Sequence, residues 1–124
     1  MDSKGKTIAI LQLPNGKMIV RENLCLSGPL KVKVFGVEYD SWHAEIRCIL
    51  SLMKNSYFLN LVKREKWLGL TVLRYNRKGK LTSNSKPCSA CWKVLKIFKK
   101  RYLGLDTKFE LAYIEAGKMR RTLL

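Results

Sequence analysis

Hydrophobic and polar positions recur with two different periods along this chain, and the switch between them marks out its elements. Residues 7–13 (Thr-Ile-Ala-Ile-Leu-Gln-Leu) are apolar and β-branched at intervals, which predicts a strand. Pro14-Asn15-Gly16 supplies turn chemistry, because proline pre-sets φ while asparagine and glycine tolerate positive φ. Residues 17–21 then return as the hairpin partner. Over 43–54 the period becomes helical. Ile46, Ile49, Leu50 and Met53 form one apolar stripe, Ala44, Cys48 and Leu52 widen it, and Arg47, Ser51 and Lys54 form a polar one. Residues 70–75 read as a core strand after a turn signal at Gly69, and 76–86 as a polar loop. A second amphipathic helix is predicted over 88–102, with Cys91, Val94, Leu95 and Phe98 inward and Lys93, Lys96 and Lys100 outward. Residues 108–114 read as a last strand, followed by a basic tail with Arg120-Arg121. The alternation Lys31-Val32-Lys33-Val34-Phe35, bracketed by Gly28-Pro29 and Gly36, fits either a half-exposed strand or an ordered loop.

The order hairpin, helix, strand, helix, strand predicts an α/β fold, an αβα sandwich with a hairpin-led mixed sheet and two crossover helices. No linker, repeat or low-complexity block divides residues 1–124, so a single domain is expected. No apolar run approaches the roughly 18 residues a membrane helix needs. The N-terminus lacks the basic-then-apolar order of a signal peptide, so the expected location is inside the cell, in cytoplasm or nucleus.

Charge changes the picture. A formal +16 exceeds what solubility requires and points to an anionic partner. It is also uneven: residues 63–101 hold thirteen lysines and arginines against Glu65 alone.

That basic segment also carries Pro87-Cys88-Ser89-Ala90-Cys91. Far upstream, Trp42-His43-Ala44-Glu45 holds the only histidine. A catalytic zinc site takes three protein ligands, and His43, Cys88 and Cys91 supply that count. Cysteines at i and i+3 of a helix start can face one ion, and the helix N-terminus favours their thiolates. Glu45 is placed to sit in the site without coordinating, as a general acid/base should. Competing uses fit less well. A two-cysteine, two-histidine finger needs a second histidine, and Cys48 lies about 140° from His43 round a helix, at roughly 3.6 residues per turn. Cys25 and Cys48 read as small apolar residues.

His43-Ala44-Glu45 together with Pro87-Cys88-Ser89-Ala90-Cys91 resembles the signature of the cytidine/deoxycytidylate deaminase superfamily. The resemblance implies a cytidine deaminase-like fold, with Zn²⁺ held by His43, Cys88 and Cys91 and proton transfer by Glu45. It implies that the Ala44 N–H holds the pyrimidine carbonyl and the Lys86 carbonyl the exocyclic amine. Asn23 matches the family's sugar-contacting asparagine, although it also reads as a strand terminator. Residue 7 is too near residue 1 for the helix that precedes the hairpin in many free-nucleoside members. The chain is therefore similar to compact stand-alone members, with Ser85-Lys86 before Pro87-Cys88.

The implied activity is hydrolytic deamination of a cytosine base to uracil. The substrate expected is an anionic one, single-stranded DNA or RNA, for which Trp42, Tyr75 and Arg77 supply stacking rings and charge near the implied metal. Trp92 and Tyr39 are near the motifs too, but Trp92 reads equally as core and the lysines as a solvated face. The alternatives are a free cytidylate or cytidine, an adenine base, or a non-catalytic zinc-stabilised module that binds nucleic acid.

Overall fold

The computed structural model describes residues 5–25, 32–39 and 41–124, with the backbone alone for Cys25. The Gly28-Pro29 bracket, Lys31 and the polar stretch 1–4 lie outside the described residues. The predicted hairpin is formed by β1 (Lys6–Gln12) and β2 (Met18–Glu22), paired antiparallel from Ile8↔Glu22 to Gln12↔Met18. Two short ladders follow. β3 (Leu24–Cys25) waits for a later partner, and β4 (Val32–Val34) turns back on β5 (Val37–Tyr39). Within that alternation Val32–Val34 form a strand, and Phe35 lies in its turn. Phe35 holds a positive φ of 49°, uncommon for a bulky residue, while its ring packs on Tyr102 and under the Arg101 guanidinium. β6 (Ser41–Trp42) then pairs with β3, and α1 (Ala44–Met53) begins.

An unpredicted helix, α2 (Ser56–Glu65), comes next. Asn55 caps it, accepting from the Phe58 N–H at 3.0 Å, and Lys66 ends it in the left-handed region. β7 (Trp67–Tyr75) starts earlier than predicted, and Gly69 lies inside the strand instead of at a turn. A side chain there would meet the Trp67 ring at 2.9 Å, so glycine lets that indole lie across the strand. α3 (Ser89–Phe98) continues into a π-helical turn, Lys99–Leu103, and β8 (Lys108–Glu115) follows. The residues expected as a basic tail form a further strand, β9 (Lys118–Leu123), antiparallel to β8.

The main sheet is mixed, in the order β2-β1-β7-β8-β9. β1 is antiparallel to both β2 and β7, and β7 is parallel to β8. Two crossovers therefore link parallel strands, as expected: α1 with α2 from β2 to β7, and α3 from β7 to β8. Alternate strand positions Ala9, Leu11, Leu68, Leu70, Val72, Phe109 and Leu111 share one face and form one core with Ala44, Cys48 and Leu52 of α1, Val62 of α2, and Leu95 and Phe98 of α3. The α/β class and the mixed sheet are as predicted, but the layering is thinner. No described helix covers the opposite face, where Met18, Val20, Met119 and Leu123 stay 48–60% exposed. No described helix is long and apolar enough to cross a membrane.

Candidate metal and catalytic site

The site lies beyond the C-terminal ends of β7 and β8, where the chain enters α3, the position that open α/β sheets use for ligands. The β3–β6 ladder pairs Leu24 with Trp42 and so brings Asn23 beside His43. His43 is the residue that caps α1, in extended conformation, and its side chain makes no capping hydrogen bond. Cys88 plays the same part for α3, and its sulfur accepts from the Cys91 N–H at 3.4 Å. Both side chains leave the helix ends because an N-cap residue is not yet helical. Two helix N-termini therefore meet at one point, each with partial positive charge.

His43 Nδ1 lies 3.1 Å from Cys91 Sγ and 3.9 Å from Cys88 Sγ. The three donor atoms are all within 4.8 Å of one another. Tetrahedral zinc, with bonds of about 2.0 Å to nitrogen and 2.3 Å to sulfur, needs donors about 3.5–3.8 Å apart. One imidazole nitrogen and two thiols at these separations fit a zinc ion with one position left for water. Hydrogen bonds from Cys91 and then His43 hold the Cys88 thiol down at about 3, and the bond to Cys88, then burial, pushes Cys91 up.

Glu45, in the first turn of α1, is 4% exposed and is carried by the helix into the same cavity. Burial raises its carboxyl above the ordinary range, against the lowering influence of His43 and Arg74. A raised carboxyl beside a metal site suits proton transfer near neutrality. Tyr39, at the end of β5, packs edge-on against the His43 ring at 4.9 Å between centroids.

A cavity of about 540 Å³ gathers Asn23, His43, Ala44, Glu45, Tyr75 and Cys88. Asn23 is partly committed to the frame, since its Oδ1 accepts from the Thr7 N–H at 2.9 Å. Arg77, Trp42 and the side chain of Lys86 line other hollows. Arg77 lines an adjoining cavity of about 440 Å³ that shares Gly5, Tyr75 and Asn76 with the first. Trp42 lines a separate hollow outside α1, with Leu50 and Lys54. Lys86 lines another beside α3; its ammonium pairs with Glu115 and lies over the Trp92 ring. Arg74, in the basic segment of the chain, lines the catalytic cavity as well. It lies two residues after buried Val72, on the same side of β7, and is itself exposed.

Cys48 is buried away from the metal group, and its thiol donates to the Ala9 carbonyl at 3.4 Å. That matches its reading as an ordinary small residue.

No protein-family model and no curated protein matches the sequence. In three dimensions the chain is similar to a cytidine deaminase from Burkholderia pseudomallei. The TM-score is 0.55 at 18% identity, covering 96% of this chain and 75% of that one. The chain has a cytidine deaminase-like fold, with a histidine and two cysteines grouped to hold a metal ion.

Proposed function

We propose that this protein is a zinc-dependent hydrolytic deaminase that converts cytosine to uracil in single-stranded DNA or RNA. The observation that carries the chemistry is the meeting of His43 and Cys88 with buried Glu45 at one cavity, with Cys91 grouped beside the first two. His43, Cys88 and Cys91 would hold the zinc, which when bound lowers the pKa of a water toward neutrality. Glu45 accepts a proton from the attacking water, passes it to the ring nitrogen, and carries a second to the departing amine. The ring carbon gains oxygen as its bond to nitrogen breaks, so water is consumed and ammonia leaves. At the first turn of α1 the Ala44 N–H is available to the pyrimidine carbonyl, and the Lys86 carbonyl accepts from the exocyclic amine. Asn23 contacts the sugar.

Two observations support a polynucleotide. The catalytic cavity shares its Tyr75 wall with the second cavity, where Lys6 and Arg77 supply charge and Tyr75 a stacking face. Among the described residues, Arg74, Arg77, Lys78 and Lys80 have no ion-pair partner, leaving their charge for phosphates. A free cytidine or cytidylate is the second reading, favoured by the likeness in fold to a cytidine deaminase.

The deciding experiment measures ammonia release from cytidine, cytidylates, and single-stranded DNA and RNA oligomers at two salt concentrations. Salt-sensitive turnover on oligomers is expected. Turnover on monomers alone would replace the polynucleotide by the free-nucleotide reading. No turnover on any cytosine substrate would overturn the assignment. Zinc analysis should give one ion per chain.

A further inference from the structure

Tyr39 presents a problem that the deaminase reading alone does not address. The residue is 4% exposed, and its buried hydroxyl makes no hydrogen bond of ordinary geometry among the described residues, although the Cys91 sulfur lies within reach of it. A phenylalanine would fill the same space without the cost of burying a poorly partnered polar group. Such groups in folded proteins call for a reason, and function is a common one.

The surroundings supply it. Tyr39 belongs to the same apolar cluster as Cys91, with Val34, Ile46 and Val94. Its ring edge meets the imidazole of His43. The ionisable groups that act on its hydroxyl are Cys91 first, then Cys88 and Glu45. The two sulfurs are also provided for unequally. Cys88 Sγ accepts from the Cys91 N–H. Cys91 Sγ has its 3.1 Å contact with His43 Nδ1. Once that nitrogen and that sulfur hold the same ion, the contact ceases to be a hydrogen bond, and Cys91 is left as a buried thiolate in need of a donor.

We infer that Tyr39 is a positioning residue for the metal: its hydroxyl donates to the Cys91 thiolate in the zinc-loaded protein. The β4–β5 hairpin thereby becomes part of the metal centre, although it supplies no ligand. A donor to a ligating sulfur offsets part of its charge and holds it in place, and such outer partners are worth about 10–100-fold in metal affinity. This inference rests on the zinc-site reading above.

The test compares the intact chain with Tyr39→Phe by zinc titration against a competing chelator. It adds the thiolate-to-cobalt charge-transfer band of the Co²⁺-substituted proteins and thermal melts of both without metal. Tyr39→Phe is expected to weaken zinc binding about tenfold and to shift the cobalt band. Without metal it should melt at the same temperature or higher, because a poorly partnered hydroxyl has been removed. Equal zinc affinity with an unshifted band would overturn the role of Tyr39 and leave the zinc site standing. Equal destabilisation with and without metal would overturn it too, marking the residue as packing only. Failure of the unaltered chain to bind zinc would remove the metal-site reading, and this inference with it.

Discussion

Ser85 and Ile114 are hydrogen-bonded in both directions: the Ser85 N–H donates to the Ile114 carbonyl at 2.7 Å, and the Ile114 N–H to Ser85 Oγ at 2.8 Å. Ser85 Oγ also donates to the Val72 carbonyl at 2.7 Å. The β7–β8 register runs only to Thr71↔Ala112, and Ser85 takes over where the strands part. That splay opens the sheet beside the site, and the wedge anchors the chain three residues before Cys88.

Ser85→Ala should therefore cost about 1–3 kcal/mol, because a buried carbonyl and a buried N–H lose their partner. For a chain of this length the melting temperature should fall by roughly 4–12 °C. A calorimetric scan checks this. An unchanged melt would mean that water or a shifted strand takes the place of the hydroxyl.

Glu45→Ala should keep zinc yet lose about 10²–10⁴-fold in ammonia release, the usual range for a general acid/base. The motivating observation is a buried carboxyl in the metal cavity that is not among the grouped donors. Metal analysis and an ammonia assay on the same preparation separate the two effects. Retained turnover would sink the proposed proton route.

Arg77→Ala should weaken oligonucleotide binding and leave turnover of any monomer unchanged, since Arg77 lies in the adjoining cavity and not in the catalytic one. Loss of one phosphate contact should reduce the slope of log affinity against log salt by about 0.7 for a single strand. An unaltered slope would place the strand elsewhere on the basic surface.

Cys48 is fully buried, and burial pushes its thiol from 9.0 up to about 12. Between these values the unfolded chain releases a proton that the folded one keeps. The contribution to stability is fully present below pH 9 and is lost as the pH rises to about 12. Cys48→Ala should flatten the decline of the urea midpoint over that range. In chelator-stripped protein, site-resolved alkylation should find Cys88 modified at once and Cys48 only on unfolding.

The strongly patterned elements were legible in the sequence. β1, α1, β7 and α3 bury one face each, so their spacing of apolar residues reports their structure. Where pattern is weak, the reading failed. β9 alternates Met119, Arg121 and Leu123 on a face that no described helix covers, so nothing selects an apolar run, and its basic residues read as a tail. α2 had an available signal in Asn55 with Phe58, Leu61 and Val62, a cap followed by helical spacing. Gly69 reads as a turn signal because a glycine at a boundary and a glycine under an indole look alike in sequence.

The candidate site divides in the same way. His43, Glu45, Cys88 and Cys91 could be named from order and spacing, because metal and proton chemistry admit few residue types. Which aromatic and basic residues share their cavity could not, because that depends on strand register and on where helices end. Trp42 is next to His43 in sequence yet lines a hollow outside α1, since adjacent residues of a strand point to opposite sides. Tyr39 is four residues from His43, and only the fold shows that its ring meets the imidazole edge-on. Chemical identity is local and survives in a string of letters. Proximity across the sheet is a product of folding, and it is proximity that gave Tyr39, Arg74 and Ser85 their places.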